Sequence, residues 1–162
     1  MSPRFAEFLD ACLNDQAGAA RMLGEDPSLL DVRSGLGETV LHYAAIEAGT
    51  EAVRFLLAHG ADANAKNGFG DSVLQECVSI CQPGWDLTPI VALLLKAGAD
   101  PYHSTLTGAC AWHRATRQEF APLRALFAAL PPPVGPHEDC EDFTAFLPDE
   151  DLRDEADGDA AL

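Results

Sequence analysis

Four side chains have the types and spacings from which chemistry is usually built. Cys77 and Cys81 stand four residues apart, so on a helix they share a face and offer two of the four ligands of a tetrahedral zinc site. His42 and His113 each follow a glycine (Gly37, Gly108) by five residues, and an imidazole is the ordinary acid–base group near neutral pH. Neither pattern is completed. No second pair at ligand spacing accompanies the two cysteines, and buried cysteine serves commonly as a small apolar residue. The chain has no glycine-rich phosphate loop, no nucleophile elbow and no His-Glu-x-x-His run. Gly35-Leu36-Gly37 and Gly68-Phe69-Gly70 are not dinucleotide loops, because no buried strand precedes either. The expectation is therefore no catalytic residue, no metal ligand and no cofactor.

The elements that would position these residues follow from composition and period. The 162 residues are 48 % hydrophobic and 22 % charged, enough for a packed core and too apolar for a wholly disordered chain. The longest apolar run, residues 90–95, is six long, against the roughly 20 residues needed to span a bilayer. Acidic residues arrive too early at the N-terminus for a secretory signal. Five cysteines, an odd number, read as reduced thiols, which predicts a soluble cytoplasmic protein. The net charge of −16 is unevenly spread, with −10 on residues 131–162 and −6 on the rest. Clustered Lys and Arg, which nucleic-acid binding requires, are missing. A basic protein partner suits this field, which would steer the encounter.

Internal repetition sets the architecture. Gly37 and Thr39 recur as Gly70 and Ser72 after 33 residues, whereas Gly60 and Asp62 recur as Gly98 and Asp100 after 38. Val53 to Gly60 and Val91 to Gly98 are equally spaced, so five extra residues lie between about 75 and 90, around Cys81-Gln82-Pro83-Gly84-Trp85-Asp86. A third opening, Gly108-Ala109-Cys110-Ala111-Trp112-His113, starts ten residues after Gly98, as Gly70 starts ten after Gly60. Each unit reads as two short antiparallel helices and a turn. Thr39 and Ser72 cap first helices, and Thr88 caps a second helix whose first residue is Pro89. Gly60 and Gly98 end second helices, and Asp62 and Asp100 suit Asx turns. Phe55-Leu56-Leu57 and Leu93-Leu94-Leu95 are apolar on too many sides for isolated helices, so they must be buried between units.

These residues resemble the ankyrin repeat. Gly37-x-Thr39-Val40-Leu41-His42-Tyr43-Ala44-Ala45, Leu56-Leu57, Gly60-Ala61-Asp62 and Asn64 match the family pattern nearly throughout, with Val40 replacing proline. The next unit has Gln75 in place of histidine, and the last has Cys110 at the cap and Trp112 at the leucine position. Residues 5–23, with the connector Asp26-Pro27-Ser28-Leu29-Leu30, look like an N-terminal cap. The resemblance implies an all-α solenoid over residues 1–130, in units of about 4–33, 34–66, 67–104 and 105–130. It also implies that His42 and His113 are structural residues hydrogen-bonding between loops. Pro131-Pro132-Pro133 ends the last helix. Residues 131–162 then form an acidic tail, disordered or folded back through Phe143, Phe146 and Leu147.

In such a stack the hairpin tips and first helices line a concave face. Leu36 and Phe69 are equivalent tip residues, and Leu106 lies at the third tip, offset by one. The fold does not require apolar tips. The row reads either as binding anchors or as side chains tucked against the next hairpin. Glu38 and Asp71 flank the anchors with negative charge, and Glu47 adds to the same face. Trp85 and Asp86, in the insertion, extend the surface or plug the stack. The expectation is a non-catalytic interaction module, monomeric when free, that grips a basic protein partner and binds neither nucleic acid nor membrane. An inhibitor or immunity-type antitoxin is the favoured form, with Ala-, Arg-, Gly- and Pro-rich usage pointing to a GC-rich bacterial genome. The alternatives are an adaptor working through the acidic tail, a metal protein or enzyme using Cys77, Cys81 and the histidines, and a structural role in homo-oligomers.

Overall fold

The computed structural model describes residues 3–104 and 110–132. Leu106, Gly108 and the tail beyond Pro132, with Cys140, Phe143, Phe146 and Leu147, lie outside the described residues. Within them run eight α-helices: α1 (Pro3–Asn14), α2 (Gln16–Glu25), α3 (Val40–Ile46), α4 (Thr50–Ala58), α5 (Val73–Ile80), α6 (Thr88–Lys96), α7 (Ala111–Arg117) and α8 (Ala121–Ala128). A 3-10 turn, Pro27–Asp31, follows α2. The first helices α1, α3, α5 and α7 pack in series, as do the second helices α4, α6 and α8, and each pair packs on itself. This is an all-α repeat solenoid, as the two offsets required.

The caps show why each helix starts where it does. Ser72 N–H donates to Gln75 Oε1 at 2.9 Å, while Gln75 N–H donates to Ser72 Oγ at 3.3 Å, a reciprocal capping box. In α3 the corresponding pair is Thr39 and His42. Gly60 and Gly98 follow α4 and α6 with φ of +93° and +89°, a conformation that costs glycine nothing. Asp62 then accepts from Asn64 N–H and Asp100 from Tyr102 N–H, both at 2.8 Å, closing the two Asx turns. One register differs from expectation. Thr88 is the first residue of α6 rather than its cap, because Asp86 takes up both its amide (2.9 Å) and its hydroxyl (2.6 Å).

The five extra residues are visible as backbone. Residues 47–49 connect α3 to α4, whereas residues 81–87 connect α5 to α6, and α5 is one residue longer than α3. The added segment makes its own turn, with Gln82 and Trp85 bridged and Gly84 at φ +93°. Cys81 anchors it, its Sγ accepting from Leu87 N–H at 3.4 Å.

Burial between units is less complete than the leucine runs suggest. Leu56 and Leu94 are fully buried, but Phe55, Leu57, Leu93 and Leu95 are only partly covered at the edge of the core. A helix packed on one side shows a stripe about 100° wide to the core, which accommodates the middle residue of each triplet. Each buried leucine contributes about 1.5–3 kcal/mol.

Candidate interaction surface

Two hairpins between units share one design. Ser34 N–H donates to Glu38 O at 2.8 Å and Gly37 N–H to Ser34 O at 3.0 Å. One unit on, Asn67 N–H donates to Asp71 O at 2.9 Å and Gly70 N–H to Asn67 O at 3.1 Å. The hairpins are locked together: Gly68 N–H donates to Leu36 O at 2.7 Å, and Arg33 Nη1 reaches Gly37 O (2.8 Å) and Lys66 O (2.5 Å). Across the next junction Gln75 Nε2 donates to His103 O at 2.6 Å, and His103 Nε2 lies 3.3 Å from Gly70 O.

This locking sets Leu36 and Phe69 on adjacent tips with their side chains in solvent, 54 % and 58 % exposed. Neither tucks against the neighbouring hairpin. Glu38 is half-buried, its carboxylate accepting from Ser34 Oγ at 2.9 Å. Hydrogen bonding to Glu38 and burial push the Tyr43 phenol above its ordinary range. Asp71 is half-buried against α5. Glu47 is exposed at the C-terminal end of α3. Trp85, 45 % exposed, and Asp86 stand in the inserted turn, so Trp85 does not plug the stack. Hydrogen bonds from the Thr88 hydroxyl and amide hold the Asp86 carboxyl below the usual carboxylate range. The structure thus groups Leu36, Glu38, Phe69 and Asp71 at the hairpins and sets Glu47, Trp85 and Asp86 toward the far ends of the helices.

Two residues of this face are new. Ile80, at the end of α5, is 37 % exposed. Glu76, one turn earlier, accepts from Asn67 Nδ2 at 2.5 Å through Oε1. Burial, with Glu38 and Asp71 nearby, pushes its carboxyl up to about 7 against the Asn67 bond. In α5 the buried positions are Val73, Leu74, Gln75, Cys77 and Val78, which leaves Glu76, Ser79 and Ile80 outside the core.

His42, Cys77 and Cys81 are built into the core, and His113 into the cap of α7. His42 is fully buried, its Nδ1 accepting from Thr39 N–H at 3.1 Å and lying 2.9 Å from Thr39 Oγ1. Burial lowers its pKa to about 4, opposed by the Asp71 backbone and Glu38, so the ring is neutral at pH 7. His113 repeats the arrangement with Cys110 Sγ 3.1 Å from Nδ1. Cys77 and Cys81 are buried, and burial pushes both thiols up, which disfavours the nucleophilic thiolate. Among the described residues no three His, Cys, Asp or Glu side chains are grouped to hold a metal ion, and no helix is long and apolar enough to cross a membrane.

Comparison with known proteins agrees with the fold. A family profile described as ankyrin repeats, in three copies, matches residues 8–105. Among curated proteins none matches the chain. The profile stops short of α7 and α8, which pack on α5 and α6 as the preceding pairs do. With a match over more than half its length, on a stack of paired helices joined by interlocked hairpins, this chain belongs to the ankyrin-repeat family, whose members are protein–protein interaction modules.

Proposed function

We propose that this protein binds a basic protein partner through the hairpin and first-helix face, and that binding inhibits that partner in the manner of an immunity-type antitoxin. The observation that carries this reading is the pair of exposed apolar tips, Leu36 and Phe69, on adjacent hairpins with Glu38 and Asp71 beside them. Large apolar side chains gain by leaving water, and anchors of this kind dominate interface energies. The flanking carboxylates, on a chain of net charge −16, favour a cationic surface opposite them. Leu106 belongs to the same proposed row, and Glu47, Trp85 and Asp86 to its periphery.

The test is affinity capture with the full chain at low salt, followed by a titration of the purified pair. The expected result is one stoichiometric basic partner whose affinity falls steeply between 50 and 500 mM salt, because exposed charges are screened within about 10 Å at 0.1 M. Leu36→Ala and Phe69→Ala should each weaken binding about tenfold with the melting temperature unchanged, since both side chains are exposed. Absence of a stoichiometric partner, or full affinity in both variants, would overturn the reading. Inhibition is read separately, as loss of the partner's own activity on complex formation.

A further inference from the structure

The last unit departs in charge from the rest of the stack. Residues 1–100 hold 14 acidic and six basic side chains, whereas residues 101–130 hold Arg114, Arg117 and Arg124 against Glu119 alone. α7 and α8 pack on α5, on α6 and on each other, and no described helix follows them. Comparison of the units shows which face this leaves open. Leu74 and Val78 of α5 and Val91 of α6 are buried. The residues at the same places in α7 and α8 are Trp112 and Thr116, half-buried, and Arg124, exposed. Arg117, beside Thr116 in the chain, is exposed as well. Arg114 is engaged by Ser79 Oγ at 3.2 Å, but neither Arg117 nor Arg124 forms an ion pair with a described residue.

We propose that this end face is covered by the chain's own acidic segment, residues 138–151, with Phe143, Phe146 and Leu147 laid on Trp112 and Thr116 and the flanking carboxylates set against Arg117 and Arg124. The segment fits both characters of the face. Four carboxylates at residues 138–142 precede the three apolar residues, and three at residues 149–151 follow them. Large side chains that gain by leaving water thus arrive between two anionic runs. The reach is ample. Pro132 to Phe143 is 11 residues, up to about 36–40 Å of chain, whereas α8 is only about 12 Å long. Tyr102 Oη donates to Pro131 O, so the chain leaves α8 beside the third hairpin. A tether of this length holds the segment at an effective concentration on the order of mM, so individually weak exposed ion pairs suffice alongside the apolar contacts. Sign selects against the other occupants. A basic partner would meet two guanidinium groups, and a second copy stacked face to face would set Arg117 and Arg124 against their counterparts. The cover is a property of the free chain and does not depend on the hairpin surface.

Amide chemical shifts of the isotope-labelled full chain test this. In wild type the amides of residues 143–147 should differ from those of a free peptide spanning residues 133–162, and equally so at every protein concentration. Arg117→Glu with Arg124→Glu should bring them to the free-peptide values, and 1 M salt, where screening acts within about 3 Å, should move them most of the way. Arg21→Glu with Arg54→Glu inverts two exposed charges elsewhere on the stack and should leave them in place. In the other direction, Phe143→Ser with Phe146→Ser should shift the amides of Trp112, Thr116 and Arg124 while those of α1 and α3 stay as they are. Free-peptide values for residues 143–147 in wild type would overturn the proposal and leave the face to an external acidic partner. Equal losses in the two charge-inverted variants would overturn it as well. Shifts that grow with protein concentration would put a second copy's tail on the face and overturn the intramolecular assignment. Leu36→Ala and Phe69→Ala should change none of these shifts, so the hairpin reading and this one fail separately.

Discussion

Gly37→Ala is expected to lower stability by about 3 kcal/mol and the melting temperature by roughly 10 °C, whereas Gly35→Ala, two residues away, should change neither measurably. Gly37 sits at φ +80°, and a Cβ there would meet Gly68 N at 2.6 Å and Gly68 Cα at 3.1 Å. The left-handed conformation alone costs a non-glycine residue about 1–2 kcal/mol. The clash is with backbone, so relief requires the second hairpin to move and the Gly68 N–H to Leu36 O bond to break, which adds about 1–3 kcal/mol. At Gly35 a Cβ meets nothing within 4 Å. Because that bond also holds Leu36 in register with Phe69, Gly37→Ala should weaken partner binding beyond Leu36→Ala alone. Thermal unfolding with and without partner checks both arms. Equal melting temperatures for the two alanine variants would show that the hairpins are not locked as described.

The second large effect concerns pH and places two buried groups in opposition. His42 has its pKa lowered to about 4 in the fold, against about 6.5 unfolded. Its contribution is fully present above pH 6.5 and is lost as pH falls toward 4, by up to ~3 kcal/mol, because the unfolded chain takes up a proton that the buried ring does not. Glu76 runs the other way. With its folded pKa raised to about 7, the native state holds the extra proton between the ordinary glutamate value and 7, so stability falls as pH rises. Allowing for its partial exposure, that contribution is ~1–2 kcal/mol. The two partly cancel between about pH 4.5 and 6.5, and single variants should uncouple them.

His42→Gln should keep the cap, since Gln75 performs this task in the next unit, accepting from Ser72 N–H at 2.9 Å. Relative to wild type it should become more stable as pH falls from 7 to 5. Glu76→Gln should become relatively less stable over the same range. His42→Ala, which strands the Thr39 amide and leaves a void, should cost about 2–3 kcal/mol at every pH above 6.5. Urea midpoints at pH 5, 6 and 8 decide this, and parallel pH curves for the two glutamine variants would refute the assignment.

How far the sequence carried these conclusions differs by residue. The repeat was legible because caps and turn glycines are local chemistry: Thr39, Ser72, Gly60 and Gly98 each act within a few residues of themselves. The insertion was legible by subtraction, since 38 minus 33 leaves five. The start of α6 was missed by one position: Leu87, not Thr88, is its N-cap, because Asp86 ties up both the amide and the hydroxyl of Thr88. Leu36 and Phe69 stood out as apolar tips the fold does not require, whereas Trp85 read equally as surface or as a plug until its exposure decided for the surface. Ile80 did not stand out, because an isoleucine ending an apolar helix reads as core. Glu76 was invisible for a further reason. Its altered acidity arises from Asn67, Glu38 and Asp71, neighbours brought near by the turn of the chain and not by periodicity.

The side-chain bonds that tie one unit to the next, such as Arg33 to Lys66, Asn64 to Gly98 and Gln118 to Val78, join residues 33 to 40 apart. No unit in that set is stapled to any but its neighbour. Under tension applied at the two termini the molecule would therefore give way stepwise, surrendering one pair of helices at a time and lengthening by roughly 110 Å per event at about 3.3–3.6 Å per residue, while the remainder of the array keeps its form.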